Sequence, residues 1–177
     1  MKKISAREIA LAAIACAIAT LALTVGALYS PLLFTGYLLA SLAVMLPLSS
    51  GRVWPAVLTF VGASVLALFC SGFDFWGLMP YVLFFGPHPI VNAVCARYRA
   101  PIVVAVAAKA VWFDLAAYLT WRFLFGAHMN VAFLDEHFLV LIITVGTLFF
   151  IGYDYGARRA QRLVNFTVER TVRRGKK

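Results

Sequence analysis

The sequence is poor in charged residues, and above all in acidic ones. Charged residues make up 13% of the 177, with 7 acids against 16 lysines and arginines. A soluble domain is typically about a quarter charged, whereas this chain is 63% hydrophobic, with a mean hydropathy of +0.90. The composition therefore excludes an ordinary soluble domain and indicates an integral membrane protein.

Cysteine pairs and catalytic motifs are also lacking. Cys16, Cys70 and Cys95 stand alone in apolar runs, so they predict neither a redox pair nor a metal site. The sequence contains no phosphate-binding loop, dinucleotide fingerprint, serine-hydrolase elbow or zinc-protease motif. We therefore expect no ATPase or hydrolase machinery in this chain, no cofactor and no metal centre.

What the sequence does contain is a series of apolar stretches. They predict six membrane-spanning helices, at residues 9–28, 32–48, 53–71, 76–95, 101–125 and 137–156. The fold class is therefore an all-α polytopic membrane bundle over residues 1–156, followed by a basic tail at 157–177. The first apolar stretch is too long for the core of a signal peptide, so we interpret it as a retained helix.

The basic residues predict the orientation. Six spans place every lysine and arginine except Lys109 and Arg122 on one side, which indicates that both termini are cytoplasmic. The net charge of +9 could suggest nucleic acid. Because the charges lie at span ends and in the tail, topology and anionic lipid headgroups explain them, and we expect no nucleic-acid partner.

The predicted spans contain polar residues that a bilayer disfavours. They are His88, Asn92, Lys109 and Asp114. Such residues normally face protein or a water-filled cavity and suggest a functional site. Residues 86–89 read Gly-Pro-His-Pro, which predicts a broken or kinked fourth helix. Lys109 could instead extend to the cytoplasmic surface or pair with Asp154.

A polar strip is predicted on the fifth span. Asp114, Tyr118 and Arg122 recur at four-residue steps and share one helix face, with Trp121 nearby. The strip would run toward the outer mouth of the bundle. Alternatively, Asp114 and Arg122 simply neutralise each other within the bundle.

Small residues form two stripes on the first span. One consists of Ala6, Ala10, Ala13 and Ala17, and the opposite one of Ala12, Ala15, Ala19, Ala22 and Gly26. Such stripes let helices approach closely in lipid. One stripe is enough for packing within the bundle, so the second suggests a partner subunit, although alanine-rich helices are also common without one.

These features together resemble the S components of energy-coupling factor transporters. The likeness rests on six short spans, cytoplasmic termini, the absence of an energy-coupling motif, and the alanine face within the opening SAREIALAAIACA at residues 5–17. The stretch PYVLFFGPHPI at 80–90, followed by Lys109 and Phe113-Asp114, is also similar to small six-span bacterial proteins of unassigned substrate.

The resemblance implies a membrane subunit that captures a vitamin-like molecule from outside. A transmembrane coupling subunit, contacted through Ala6, Ala10, Ala13 and Ala17, and two cytoplasmic ATPases would complete the importer. The implied ligand-binding residues are Tyr37, Asp74, Trp76, Asp114, Tyr118, Trp121, Arg122, His128 and Asn130. His88 and Lys109 lie too far inward for that pocket, so the role of these two residues stays open.

Two other classes of protein remain as alternatives. A stand-alone membrane enzyme acting on lipid would use His88, Lys109 and Asp114 as acid and base groups, and would need them to converge on one cavity. A structural or assembly subunit would use the same residues only to hold helices together. It would contain no cavity and would tolerate Asp114→Asn.

Overall fold

The fold is helical throughout the part of the chain that can be described. The computed structural model describes residues 5–125 and 132–174, which contain no strand. The helices are α1 (Ala6–Leu28), α2 (Leu33–Leu48), α3 (Trp54–Cys70), α4 (Phe75–Pro80), α5 (His88–Arg97), α6 (Ile102–Thr120), α7 (Ala132–Leu141) and α8 (Thr147–Arg174). A 3-10 turn at Ser30–Leu32 precedes α2, and π-helical turns at Tyr81–Phe85, Trp121–Phe125 and Ile142–Gly146 join or extend the others.

Several of these helices are long and apolar enough to cross a bilayer. Within the described residues they are Ala6–Leu28, Ser30–Leu48, Phe75–Arg97, Ile102–Phe123 and His137–Thr171. The apolar helix Trp54–Cys70 is shorter, at 17 residues. This is the architecture of a multi-pass membrane protein, and the observed bounds of the first five apolar stretches lie close to the predicted ones.

The outer surface of the bundle is apolar. Val103 and Val111 on α6 are 76% and 69% exposed, and Leu148 on α8 is 71% exposed. A soluble monomer rarely exposes so much contiguous apolar surface. Lipid chains are the solvent that fits this surface.

One end of the bundle, which we call the basic end, brings several turns together. Ser5 and Glu8 form a capping box at the start of α1. An Arg52 guanidinium nitrogen lies 3.2 Å from Glu8 Oε2, which ties that start to the turn between α2 and α3. Gln161 Nε2 donates to the carbonyl oxygen of Met45 at 3.1 Å, so the middle of α8 lies against the end of α2.

The two small-residue stripes of α1 have different environments. Ala15, Ala19 and Gly26 are buried, and α2 crosses so closely that a Cβ on Gly36 would lie 2.6 Å from the carbonyl oxygen of Ala22. This stripe therefore packs within the bundle. The residues of the other stripe, Ala6, Ala10, Ala13 and Ala17, are exposed.

The predicted interruption of the fourth span takes the form of a π-helical turn. The Gly86 amide donates to the carbonyl oxygen of Tyr81 at 2.8 Å, one residue further back than in an α-helix. The turn provides an extra residue before the prolines at 87 and 89, and Phe75–Arg97 stays one apolar helical stretch. A Cβ on Gly86 would lie 2.4 Å from a carbon of the Phe60 ring, so only glycine fits there.

The last helix does not end where the predicted sixth span ends. α8 runs without interruption from Thr147 to Arg174, through residue 156 and into the basic segment. The basic segment, as far as Arg174, is therefore a direct helical extension of the bundle.

Candidate functional site

A cluster of charged side chains lies inside the bundle around Asp154 of α8. Asp154 is fully buried, and its Oδ1 lies 3.1 Å from His88 Nε2. Lys109 Nζ donates to the same oxygen, and also donates to Asn92 Oδ1 at 2.6 Å. Asp154, His88, Lys109 and Asn92, together with Arg158, are called the Asp154 cluster below.

The helices position the members of this cluster. His88 is the first residue of α5, directly after the turn that the prolines impose, and Lys109 lies midway along α6. Arg158 is one turn beyond Asp154 on α8, and its guanidinium nitrogen lies 3.0 Å from Asp154 Oδ2. That contact is an ion pair without the alignment of a hydrogen bond. Three helices thus bring basic groups to one carboxylate.

Aromatic rings pack around the fully buried imidazole of His88, on one side of the cluster. The His88 ring lies 5.1 Å from the Phe84 ring, 4.8 Å from that of Tyr153 and 6.2 Å from that of Phe150, measured between centroids. The hydroxyl of Tyr153 is hydrogen-bonded to Ser41 Oγ at 2.9 Å. Because the surroundings have a low dielectric constant, loss of one partner would leave a costly unpaired charge.

A second feature is a cavity of about 470 Å³ with an aromatic lining. It is lined by Phe34, Pro80, Phe84, Phe85, Phe113, Ala116, Ala117, Thr120, Trp121, Phe138, Ile142 and Phe149. Among these residues only Thr120 and Trp121 carry a polar side-chain atom. The Trp121 ring stacks on Phe138 with centroids 4.5 Å apart. A volume and lining of this kind suit a flat, mostly apolar molecule.

The predicted ligand-binding residues do not all lie in this cavity. Trp121 lines it directly. The buried Tyr37 ring stacks on Phe85, a lining residue, with centroids 5.7 Å apart, while its hydroxyl donates to the carbonyl oxygen of Gly77. Asp74 Oδ1 accepts from the Gly77 amide at 2.9 Å and caps α4. Tyr37 and Asp74 thus fix the backbone beside the cavity.

Other predicted residues lie nearer the surface of the protein. Trp76 is half exposed and stacks on Phe123. Tyr118 and Arg122 are also exposed. His128 and Asn130 lie outside the described residues.

Asp114 is separate from both features. Its Oδ2 accepts from Thr147 Oγ1 at 3.3 Å, and within the described chain its buried Oδ1 has no hydrogen-bond partner. The neutralisation of Asp114 by Arg122 is not found among the ion pairs of the described residues. The contacts of Asp154 bring His88 and Lys109 together, and Asp114 has no part in them.

Sequence reasoning missed most of the cavity lining and the central place of Asp154. Phe84, Phe85 and Phe113 line the cavity. Their sequence context did not predict this, because in a helix that is apolar all round the pattern does not indicate whether an aromatic side chain faces lipid or a cavity. Arg158 was counted with the tail. Its position one turn after Asp154 was the signal that could have placed it in the cluster.

The helices and these two features together define a multi-pass helical membrane protein with a buried ion cluster and an aromatic cavity. Comparison with known protein families, curated proteins and solved structures finds no match. Function is therefore inferred from this chain's own residues.

Proposed function

We propose that the chain is the membrane-embedded substrate-binding subunit of an importer of the energy-coupling factor type, with six transmembrane helices. It would capture a vitamin-like molecule from outside, and partner subunits would hydrolyse ATP. The observation that carries this proposal is the aromatic cavity of about 470 Å³. A protein whose interior only holds helices together has no need of such a cavity.

We infer the orientation from charge. With the basic end in the cytoplasm, as the excess of basic residues on one side favours, the aromatic cavity would lie in the outer half of the bundle. A ligand arriving from outside would then reach the cavity first, and the Asp154 cluster would lie beneath it.

The lining supports a ligand with a flat apolar ring. Stacking on phenylalanine and tryptophan faces would supply most of the binding free energy. The Thr120 hydroxyl donates to the carbonyl oxygen of Ala116 at 2.8 Å, so it could still accept a hydrogen bond from the ligand. Trp76, Tyr118 and Arg122 lie outside this lining, so in this proposal they contact only a polar substituent at the mouth. A carboxylate or phosphate there would suit Arg122.

The exposed alanine stripe on α1 supports a partner subunit. Ala6, Ala10, Ala13 and Ala17 leave a face on which another helix could pack closely. We assign this face to the transmembrane coupling subunit, with the two cytoplasmic ATPases bound through it.

Affinity purification of the tagged protein from its native membranes tests the proposal, with mass spectrometry of the bound proteins and metabolites. We expect two ATPases and a large membrane subunit, and a loss of about tenfold in their recovery with Ala13→Trp, because a bulky side chain prevents close helix packing. Val111→Trp, at an exposed position on α6, is the matched control and should leave recovery unchanged.

A second variant tests the cavity separately. Ala117→Trp would fill it and should remove a bound metabolite without removing the protein partners. Recovery of the protein alone, under conditions that preserve a known complex of this type, would contradict the importer.

A further inference from the structure

A second groove, with apolar and polar residues in its lining, lies at the basic end, on the side of the Asp154 cluster away from the aromatic cavity. Its volume is about 560 Å³, and its polar lining comprises Asn92, Tyr155, Arg158, Gln161, Arg162 and Asn165. Ala96 and Ile102, on either side of the turn that carries Arg97 and Arg99, also line it. The groove thus opens where the headgroup layer would meet the bundle.

The side-chain amides of Asn92 and Asn165 present their NH₂ groups as hydrogen-bond donors in this groove. Asn92 Oδ1 is occupied by Lys109 Nζ at 2.6 Å, and Asn165 Oδ1 by Gln161 Nε2 at 2.8 Å. The oxygen of each asparagine therefore already accepts a hydrogen bond within the protein. Within the described chain nothing accepts from either Nδ2, so both NH₂ groups are left for a ligand.

The charge of the groove has one sign. Arg158 and Arg162 line it, and none of the described lining residues is acidic. The nearby carboxylate, Asp154, already serves His88, Lys109 and Arg158. No hydrogen bond or ion pair of the exposed Arg162 guanidinium is found within residues 5–125 and 132–174. The formal charges thus leave an unbalanced positive site at the membrane surface.

We propose that this groove binds the phosphate headgroup of an anionic phospholipid. Arg162 and the two asparagine amides would donate to the phosphate oxygens, and Arg158 would add positive charge from behind. An acyl chain would pass over Ala96 and Ile102 to the exposed valines of α6. Arginines beside an apolar exit suit a lipid better than a free anion. This site is independent of the proposed importer function.

Lipid binding to the delipidated full chain in detergent tests the site. Phosphatidylglycerol and zwitterionic phosphatidylcholine are titrated separately, and the bound lipid is counted by native mass spectrometry. We expect clear preference for phosphatidylglycerol. Arg162→Gln should weaken that binding about tenfold, because it removes a charge-assisted contact. Asn165→Asp should weaken it at least as much, because it replaces a donor with a negative charge.

Arg159→Gln is the matched control, since Arg159 is an exposed neighbour on the same helix that does not line the groove. It should change the affinity by less than about twofold, as a diffuse surface charge does. Equal losses for Arg159→Gln and Arg162→Gln would overturn the site in favour of general surface attraction. Equal binding of the two lipids, or full displacement by inorganic phosphate, would overturn the lipid assignment.

Discussion

The Asp154 cluster and the aromatic cavity are neighbouring features of opposite polarity. The Asp154 cluster gathers polar groups at a depth where each would be costly alone, and pairs them closely. The aromatic cavity has almost no polar atoms in its lining. In lipid, where association depends on packing and polar pairing more than on hydrophobicity, the first arrangement fixes helices and the second leaves room for a ligand.

Phe84 marks the boundary between the two features. Its ring lines the cavity and lies 5.1 Å from the His88 ring, measured between centroids. It also contacts Phe113, Trp112 and Phe150 edge-on or tilted. The difference between the two features can therefore be tested by substitutions at three places. These are the Asp154 cluster, the boundary residue Phe84, and Asp114, which belongs to neither feature.

The largest effect is expected on the polar side. Asp154→Leu would leave Lys109 and Arg158 facing each other without an anion. Breaking a buried ion pair on one side costs roughly 3–5 kcal/mol. The midpoint of denaturation in a detergent titration would measure this loss.

The control for Asp154→Leu is Glu169→Leu, an exposed acid on the same helix. It should change stability by less than about 0.5 kcal/mol. Adding Lys109→Met to Asp154→Leu should recover part of the loss, because it removes one unpaired charge. Equal stability of Asp154→Leu and the wild type would show that the Asp154 cluster does not fix the helices.

A smaller effect is expected at the boundary. Phe84→Ala would join the cavity to the cluster and remove ring contacts on both sides. We expect a loss of roughly 2–3 kcal/mol, at or below the lower limit for a buried phenylalanine in a water-soluble protein, because the hydrophobic driving force is weaker in lipid. Thermal unfolding in detergent would measure it. Phe123→Ala, at a residue that is 49% exposed, is the control and should cost less than about 1 kcal/mol.

The sequence predicted the helices well because their signal is local. An apolar run of spanning length, ended by glycine, proline or charge, needs no knowledge of neighbours. Pro87 and Pro89 likewise predicted an irregular backbone. The form that it takes, a π-helical turn, was not predictable because it depends on the close packing of Gly86 against Phe60. The tail was expected to form a separate cytoplasmic helix, and its continuity with the last span was not predicted because hydropathy falls after residue 156 while helical structure does not.

Contacts within the site could be predicted only where two polar residues lie at a similar depth in the membrane. Lys109 and Asp154 lie at similar depths, and their pairing was one of the alternatives; the structure contains that contact. The addition of His88 to the same oxygen required the relative rotation of three helices, which hydropathy does not determine. The same rotation decides that the aromatics at 84 and 113 face a cavity rather than lipid.

The smallest effect is expected at Asp114, which the sequence marked as a central acid. Asp114→Asn keeps an oxygen that can accept from Thr147 Oγ1, and removes a charge that no described basic side chain balances. We therefore expect stability to change by less than about 1 kcal/mol. Asp154→Asn, the same chemical change inside the cluster, should cost more because Lys109 and Arg158 lose their anion.

The pair Asp114→Asn and Asp154→Asn separates a structural role from a functional one. If Asp114 contributes to ligand binding, as the resemblance implies, Asp114→Asn should reduce the co-purified metabolite while the unfolding midpoint hardly moves. An assembly subunit would keep its unfolding midpoint after the substitution and would co-purify no metabolite in either form. A large loss of stability with Asp114→Asn would instead show that the single hydrogen bond to Thr147 understates the role of Asp114, and that the polar interior extends beyond the Asp154 cluster.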